Sequence, residues 1–194
     1  MGSSKGPPGF DDKDLDDAVI YGYGAASTIG HELTHAFDDQ GSQYDEKGNL
    51  RNWWTKEDKL QFDQKVKGIV KHFNNYVVLD SLKVNGEATA GENIADLGGI
   101  VIALDAFKKT SQYKEGKVIN GLSPVQRFFM GYAYGWKTIT TDELMLWTIQ
   151  SDVHSPAFLR INGPFSLVPE FYEAFNVKPG QPMWRPDSLR VKIW

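Results

Sequence analysis

A mainly α fold with a small β-hairpin or short sheet is what this 194-residue sequence predicts, on three observations. Apolar residues recur at helical spacing over several long stretches, serine and threonine stand where helices should begin, and a single turn signal sits among scattered aromatics. The length suits one domain that buries about 70% of the surface its unfolded chain exposes. Its 41% hydrophobic and 24% charged residues, with a formal net charge of -4, are those of an ordinary folded protein.

The first helix is expected over residues 17–37, where Ala25, Ala26, Ile29, Leu33 and Ala36 give a helical pattern rich in small residues. Small residues there predict a closely packed, buried helix ending near Asp38, Asp39 and Gly41. Residues 41–54 mix Tyr44, Leu50 and Trp53 with the turn Lys47-Gly48-Asn49 and predict a short hairpin or ordered loop. Thr55-Lys56-Glu57-Asp58 then reads as a capping box opening an amphipathic helix through Phe62, Val66, Ile69, Val70, Phe73 and Val77. A third helix is expected over residues 87–109, with Ile94, Leu97, Val101, Leu104 and Phe107 along it. Gly98-Gly99 in its middle costs roughly 1 kcal/mol per glycine relative to alanine, so a neighbouring backbone should approach closely there. Ser123-Pro124 starts a fourth helix through Phe128, Phe129, Tyr132 and Trp136, Thr141 caps a fifth, and short helical pieces complete the chain.

Composition excludes some functions. Lysines and arginines occur singly or in pairs such as Lys108-Lys109, so no nucleic-acid partner is expected. No apolar run approaches the roughly 20 residues of a membrane span, and a chain without membrane contact is expected. Cysteine is absent, which rules out disulfides and requires that any zinc site use histidine and carboxylates. Residues 1–9 lack the apolar core of a secretion signal. Residues 1–16 are left unassigned, as a junction or truncation remnant, and the domain is placed at residues 17–194.

The chemistry centres on His31-Glu32-Leu33-Thr34-His35. Two imidazoles four residues apart lie one helical turn apart and can face a single ion, while the glutamate between them stays free to act as general base. A catalytic zinc takes three protein ligands and keeps one open position. The metzincin extension is ruled out, because Asp38 and Gly41 stand at the positions in question. His72 falls in the amphipathic helix and reads as a structural residue at the surface or boundary. Glu92 is the better candidate, since Glu92 and Asp96 share a helix face one turn apart, where one can ligate and the other support. A third cluster, Ser151-Asp152-Val153-His154-Ser155-Pro156 followed by Arg160, could stabilise a developing oxyanion and hold a peptide carbonyl or carboxylate. Taken singly, each of these has an ordinary structural reading.

Together and in this order, the clusters resemble the neprilysin and endothelin-converting enzyme family of zinc metallopeptidases, in a bacterial oligopeptidase-type member and its catalytic C-terminal part. The similar stretches are residues 31–39, Asn52-Trp53-Trp54-Thr55, residues 91–99, residues 152–160 and the terminal tryptophan. The resemblance implies a thermolysin-like gluzincin fold and one zinc ion per chain held by His31, His35 and Glu92. It implies Glu32 as catalytic carboxylate, Asp96 orienting a ligand histidine, and His154 stabilising the transition state with Asp152 positioning it. It further implies that Arg160 binds the substrate backbone and that Trp136 lines a pocket for a large apolar residue after the scissile bond. The implied reaction is Glu-assisted attack of zinc-bound water on oligopeptides, on the amino side of hydrophobic residues. The alternative is a zinc-stabilised fragment that binds peptides or a partner without cleaving them. Members of the family carry a helical cap and an Asn-Ala-aromatic-Tyr strand upstream, and Pro7-Pro8-Gly9-Phe10 would be the remnant of the segment after that strand. The N-terminal half of the same enzyme is therefore a candidate partner. The compartment is open, with an extracellular, periplasmic or cytoplasmic bacterial enzyme implied.

Overall fold

The computed structural model describes residues 15–193. The unassigned N-terminus apart from residues 15 and 16, the Pro7-Pro8-Gly9-Phe10 segment and the terminal tryptophan lie outside the described residues.

Asp16 caps helix α1 by accepting from the Ala18 amide. Three segments, Asp17–Ile20, Tyr21–Gly30 and His31–His35, run on in right-handed helical backbone and together form α1, residues 17–35. The middle segment is wound more widely, with π-type i→i+5 hydrogen bonds. Ala18, Gly22, Ala26 and Gly30, at every fourth position, are buried, so the small residues do form the packing face. The helix stops at His35 rather than Phe37, where the backbone turns towards Asp38.

Residues 41–54 are an ordered loop with one antiparallel bridge, Tyr44 to Leu50, and no hairpin strands. It is pinned by Trp53 and Trp54, whose indole N–H groups both donate to the Ser42 carbonyl at 3.0 and 2.8 Å. Helix α2, Lys56–Phe73, starts at the Thr55 cap as predicted. It ends before Val77, which belongs to strand β1, Val77–Val78, paired antiparallel with β2, Leu82–Lys83. The short sheet is thus real but sits after α2, because Asn74 and Asn75 close the helix and Leu79 and Asp80 turn the chain at positive φ.

Helix α3, Ala90–Phe107, begins three residues later than expected, since the Asn85 side chain and carbonyl hold residues 85–89 in a turn. It is buried on most of its circumference and forms the centre of the molecule. Short α4, Ser111–Glu115, leads to α5, Pro124–Gly135, which opens with a full capping box of Ser123 and Gln126. Helices α6, Asp142–Ser151, α7, Ala157–Phe165, and α8, Pro169–Phe175, follow. The aromatic core of Phe107, Phe128, Phe129, Tyr132, Phe165 and Phe171 joins α3, α5, α7 and α8. Among the described residues no helix is long and apolar enough to cross a membrane.

Candidate metal centre and active site

The site forms where α1 crosses α3 with backbone against backbone. A Cβ on Gly99 would lie 2.5 Å from the Ala26 carbonyl oxygen and 2.7 Å from the His31 amide nitrogen. Only glycine permits that approach. It sets His31 against Glu92 and Asp96, which lie one turn apart on α3.

The close donor set is His31, His35 and Glu92. Among the described residues these three form the one group of three or more such side chains whose ligand atoms all lie within 4.8 Å of one another. The two Nε2 atoms are 3.1 Å apart, His31 Nε2 is 3.2 Å from Glu92 Oε2, and His35 Nε2 is 3.5 Å from Glu92 Oε1. Two imidazole nitrogens bound tetrahedrally to one zinc at about 2.0–2.1 Å would be about 3.3 Å apart. The geometry fits such an ion.

The opposite ring edges strengthen that fit. His31 Nδ1 faces Asp96 Oδ1 at 2.9 Å, and His35 Nδ1 faces Asp38 Oδ2 at 2.7 Å. A carboxylate only accepts, so each neutral ring carries its proton on Nδ1 and turns an Nε2 lone pair inward. Two lone pairs and a carboxylate at these distances repel unless a cation sits among them. Without a metal ion a proton meets that need at His31: burial alone would depress its pKa, yet the hydrogen bonds to Asp96 and Glu92 outweigh it and raise it to about 9. For Glu92, burial pushes upward, but the His31 hydrogen bond and the charges of His154 and Arg160 prevail and hold its pKa below the usual range.

Asp38 was not assigned a role from the sequence. It is buried, and its Oδ1 also accepts from the Gln40 and Gly41 amides at 2.8 and 2.7 Å. The available signal was its place three residues after His35, just before a turn. Glu32 is exposed on α1 and stays outside the converging donor group. His35, with a side chain 30% exposed, gives the site its open side.

The third cluster joins the same site. His154 Nε2 lies 3.1 Å from Glu92 Oε2, and its Nδ1 is 2.7 Å from Asp152 Oδ1. Arg160 is buried, contrary to its ordinary surface reading. Its Nε and Nη2 make a bidentate pair with Asp96 at 2.8 Å each, and its guanidinium stacks 3.8 Å from the centre of the Trp136 ring. Asp96 therefore serves both His31 and Arg160. A cavity of 280 Å³ adjoins these residues, walled by Trp136, Leu144, Met145, Trp147, His154 and Arg160. A larger one of 940 Å³ lies between α3, α8 and the C-terminal segment and includes none of the site residues. His72, expected at the surface or boundary, is buried and hydrogen-bonded to the Gly163 carbonyl at 3.1 Å, and it is not part of the donor group.

Comparison with known proteins agrees with this arrangement. The family model described as Peptidase family M13 matches residues 6–191. Neprilysin-3 of Drosophila melanogaster is 37% identical over 186 residues, covering 93% of this chain and 23% of that protein. The neutral endopeptidase of Lactobacillus helveticus is 38% identical over 171 residues, covering 88% of this chain and 25% of that protein. In three dimensions the chain is similar to the Mycobacterium tuberculosis zinc metalloprotease Zmp1 in complex with an inhibitor, with a TM-score of 0.86 and 36% identity, covering 97% of this chain and 29% of that one. The chain thus spans about a quarter of the length of the curated relatives it matches.

Proposed function

This chain belongs to peptidase family M13, and from that premise we propose that residues 17–194 are the catalytic domain of a zinc-dependent endopeptidase acting on oligopeptides. The observation that supports this most strongly is the convergence of His31 Nε2, His35 Nε2 and Glu92, with each histidine backed by a buried carboxylate. His31, His35 and Glu92 would hold one zinc ion. Bound zinc would supply Lewis-acid polarisation of the scissile carbonyl and lower the pKa of water at the open position.

Glu32 takes the proton from the attacking water and passes it to the leaving amine. His154, oriented through Nδ1 by Asp152, donates from Nε2 to the carbonyl oxygen as negative charge develops there. Arg160 keeps Nε and Nη2 on Asp96, which leaves Nη1 for a peptide carbonyl of the substrate. Its contact with Trp136 fixes the guanidinium plane and forms one wall of the 280 Å³ cavity. That cavity, with Leu144, Met145 and Trp147 in its walls, would take an apolar side chain, which supports a preference for cleavage on the amino side of hydrophobic residues.

Glu32→Gln tests the assignment. The variant should bind zinc as the wild type does and lose roughly 10²- to 10⁴-fold in kcat on a fluorogenic oligopeptide with an apolar residue after the scissile bond. Turnover at the wild-type rate would overturn the role given to Glu32. Zinc binding without chelator-sensitive hydrolysis by the wild type would instead support a peptide-binding module.

A further inference from the structure

We infer that Ser155 and Asn93 are positioning residues for His154, joined by a buried hydrogen bond that holds the loop carrying this imidazole against the helix carrying the metal donors; the inference rests on the role of His154 proposed above. The Ser155 hydroxyl donates to Asn93 Oδ1 at 2.8 Å. Asn93 Nδ2 in turn donates to Thr89 Oγ1 at 2.9 Å, and the Thr89 hydroxyl donates to the Asn85 carbonyl at 3.0 Å. All three side chains are buried.

This chain of bonds runs in one direction. The Thr89 proton is committed to a backbone carbonyl, so Thr89 can only accept from Asn93, and the amide oxygen of Asn93 must face Ser155. An unmet polar group in such surroundings carries a full desolvation cost, which keeps the bond closed. The purpose follows from its place in the sequence. Asn93 follows Glu92 and Ser155 follows His154, so one bond ties together the backbones beside a metal donor and beside the oxyanion partner.

The other supports of His154 either stay within its own loop or engage a carboxylate of the donor group. Its backbone amide and Nδ1 both bind Asp152 Oδ1, at 2.9 and 2.7 Å, which orients the ring within its own loop but not relative to α3. The contact between His154 Nε2 and Glu92 does reach α3, but it uses a carboxylate that the metal needs as a donor. The bond between Ser155 and Asn93 makes no such demand. It relates the imidazole to the donor cluster whether or not Glu92 is engaged.

The test uses the zinc-saturated chain with ¹⁵N-labelled histidine, in wild type, Ser155→Ala, Asn93→Ala and the double variant. His154→Ala identifies the His154 resonances. In the wild type the Nδ1 proton of His154 should exchange slowly. In both single variants that signal should broaden or vanish, while the His31, His35 and His72 resonances and zinc affinity stay as they were. On the fluorogenic peptide, kcat should fall roughly 10- to 100-fold at constant KM, as displacement of an aligned group does. The double variant should be no worse than either single one, and Ser155→Ala should cost nothing more in a His154→Ala background. Ser155→Thr, which keeps the hydroxyl, should restore the His154 signal. Unchanged His154 resonances in Ser155→Ala, or additive losses in the double variant, would overturn the inference. If His154→Ala itself left kcat intact, the proposed role of His154 would fall, while the imidazole signal would still decide whether the tether exists.

Discussion

Each histidine of the donor pair leans on a different carboxylate, and the two carboxylates have different second duties. Among the described residues Asp38 otherwise accepts from the local Gln40 and Gly41 amides, whereas Asp96 also carries the buried Arg160. Asp38→Asn should therefore lower zinc affinity about 10- to 100-fold and leave the melting temperature of the zinc-free chain nearly unchanged. Asp96→Asn should lower both, because breaking a buried ion pair from one side costs about 3–5 kcal/mol. Zinc competition titrations and thermal melts on both variants check the contrast. His72 supplies a pH test away from the metal. Burial, opposed by the Gly163 hydrogen bond and assisted by the Arg185 charge, lowers its pKa to about 4 from an ordinary 6.5. The unfolded chain thus binds the extra proton first. The contribution of neutral His72 is complete above pH 6.5 and is lost as pH falls towards 4, amounting to roughly 3 kcal/mol. With chelator present, the wild type should lose stability over that window more steeply than His72→Gln; parallel curves would contradict the assignment. The pairing of His31 and His35 is legible in the sequence, because a four-residue spacing is a purely local statement, whereas Glu92 lies far along the chain and joins them through the family resemblance. Asp38 and the burial of His72 are not legible there, since one depends on a turn after α1 and the other on Gly163, far along the chain.

At the scale of elements, the glycines of the crossing between α1 and α3 give the clearest contrast. Gly99→Ala gains about 1 kcal/mol of helix propensity but sets a methyl 2.5 Å from a backbone oxygen, which side-chain motion cannot relieve. Overpacking of this kind costs typically 1–3 kcal/mol, so denaturant unfolding should show a net loss together with weakened zinc binding. Gly24→Ala, on the same α1, meets nothing within 4 Å and should be neutral or stabilising. Helix starts were readable because Thr55, Ser123 and Thr141 cap through side chains named in the sequence. Apolar spacing runs past the ends of α1 and α2, to Phe37 and Val77, after the backbone has turned, so the sequence pattern overshoots both helix ends. Wider winding over residues 21–30 goes with a packed face, Ala18, Gly22, Ala26 and Gly30, that repeats at every fourth position rather than at the 3.6 residues of an α-helix.

For the whole molecule, the centre of the fold and the centre of the chemistry coincide. Helix α3 is at once the most enclosed element and the carrier of Glu92, Asn93 and Asp96. Family membership was accessible because the resemblance rests on three separated clusters in order, and the site brings those clusters together. The position of the small sheet was not, because neither stretch is long enough to show a strand pattern. Zinc should act on this whole as a folding ligand. At free zinc 100-fold above its Kd the folded state gains about 2.7 kcal/mol, and the melting temperature of a chain this size should rise by roughly 5–10 °C. The most direct measurement is a calorimetric zinc titration of the chain beside His31→Ala, His35→Ala and Glu32→Gln. One ion per chain in the wild type and in Glu32→Gln, with that binding lost in both histidine variants, is the predicted result. Metal uptake that survives loss of either histidine, or none at all in the wild type, would contradict the account.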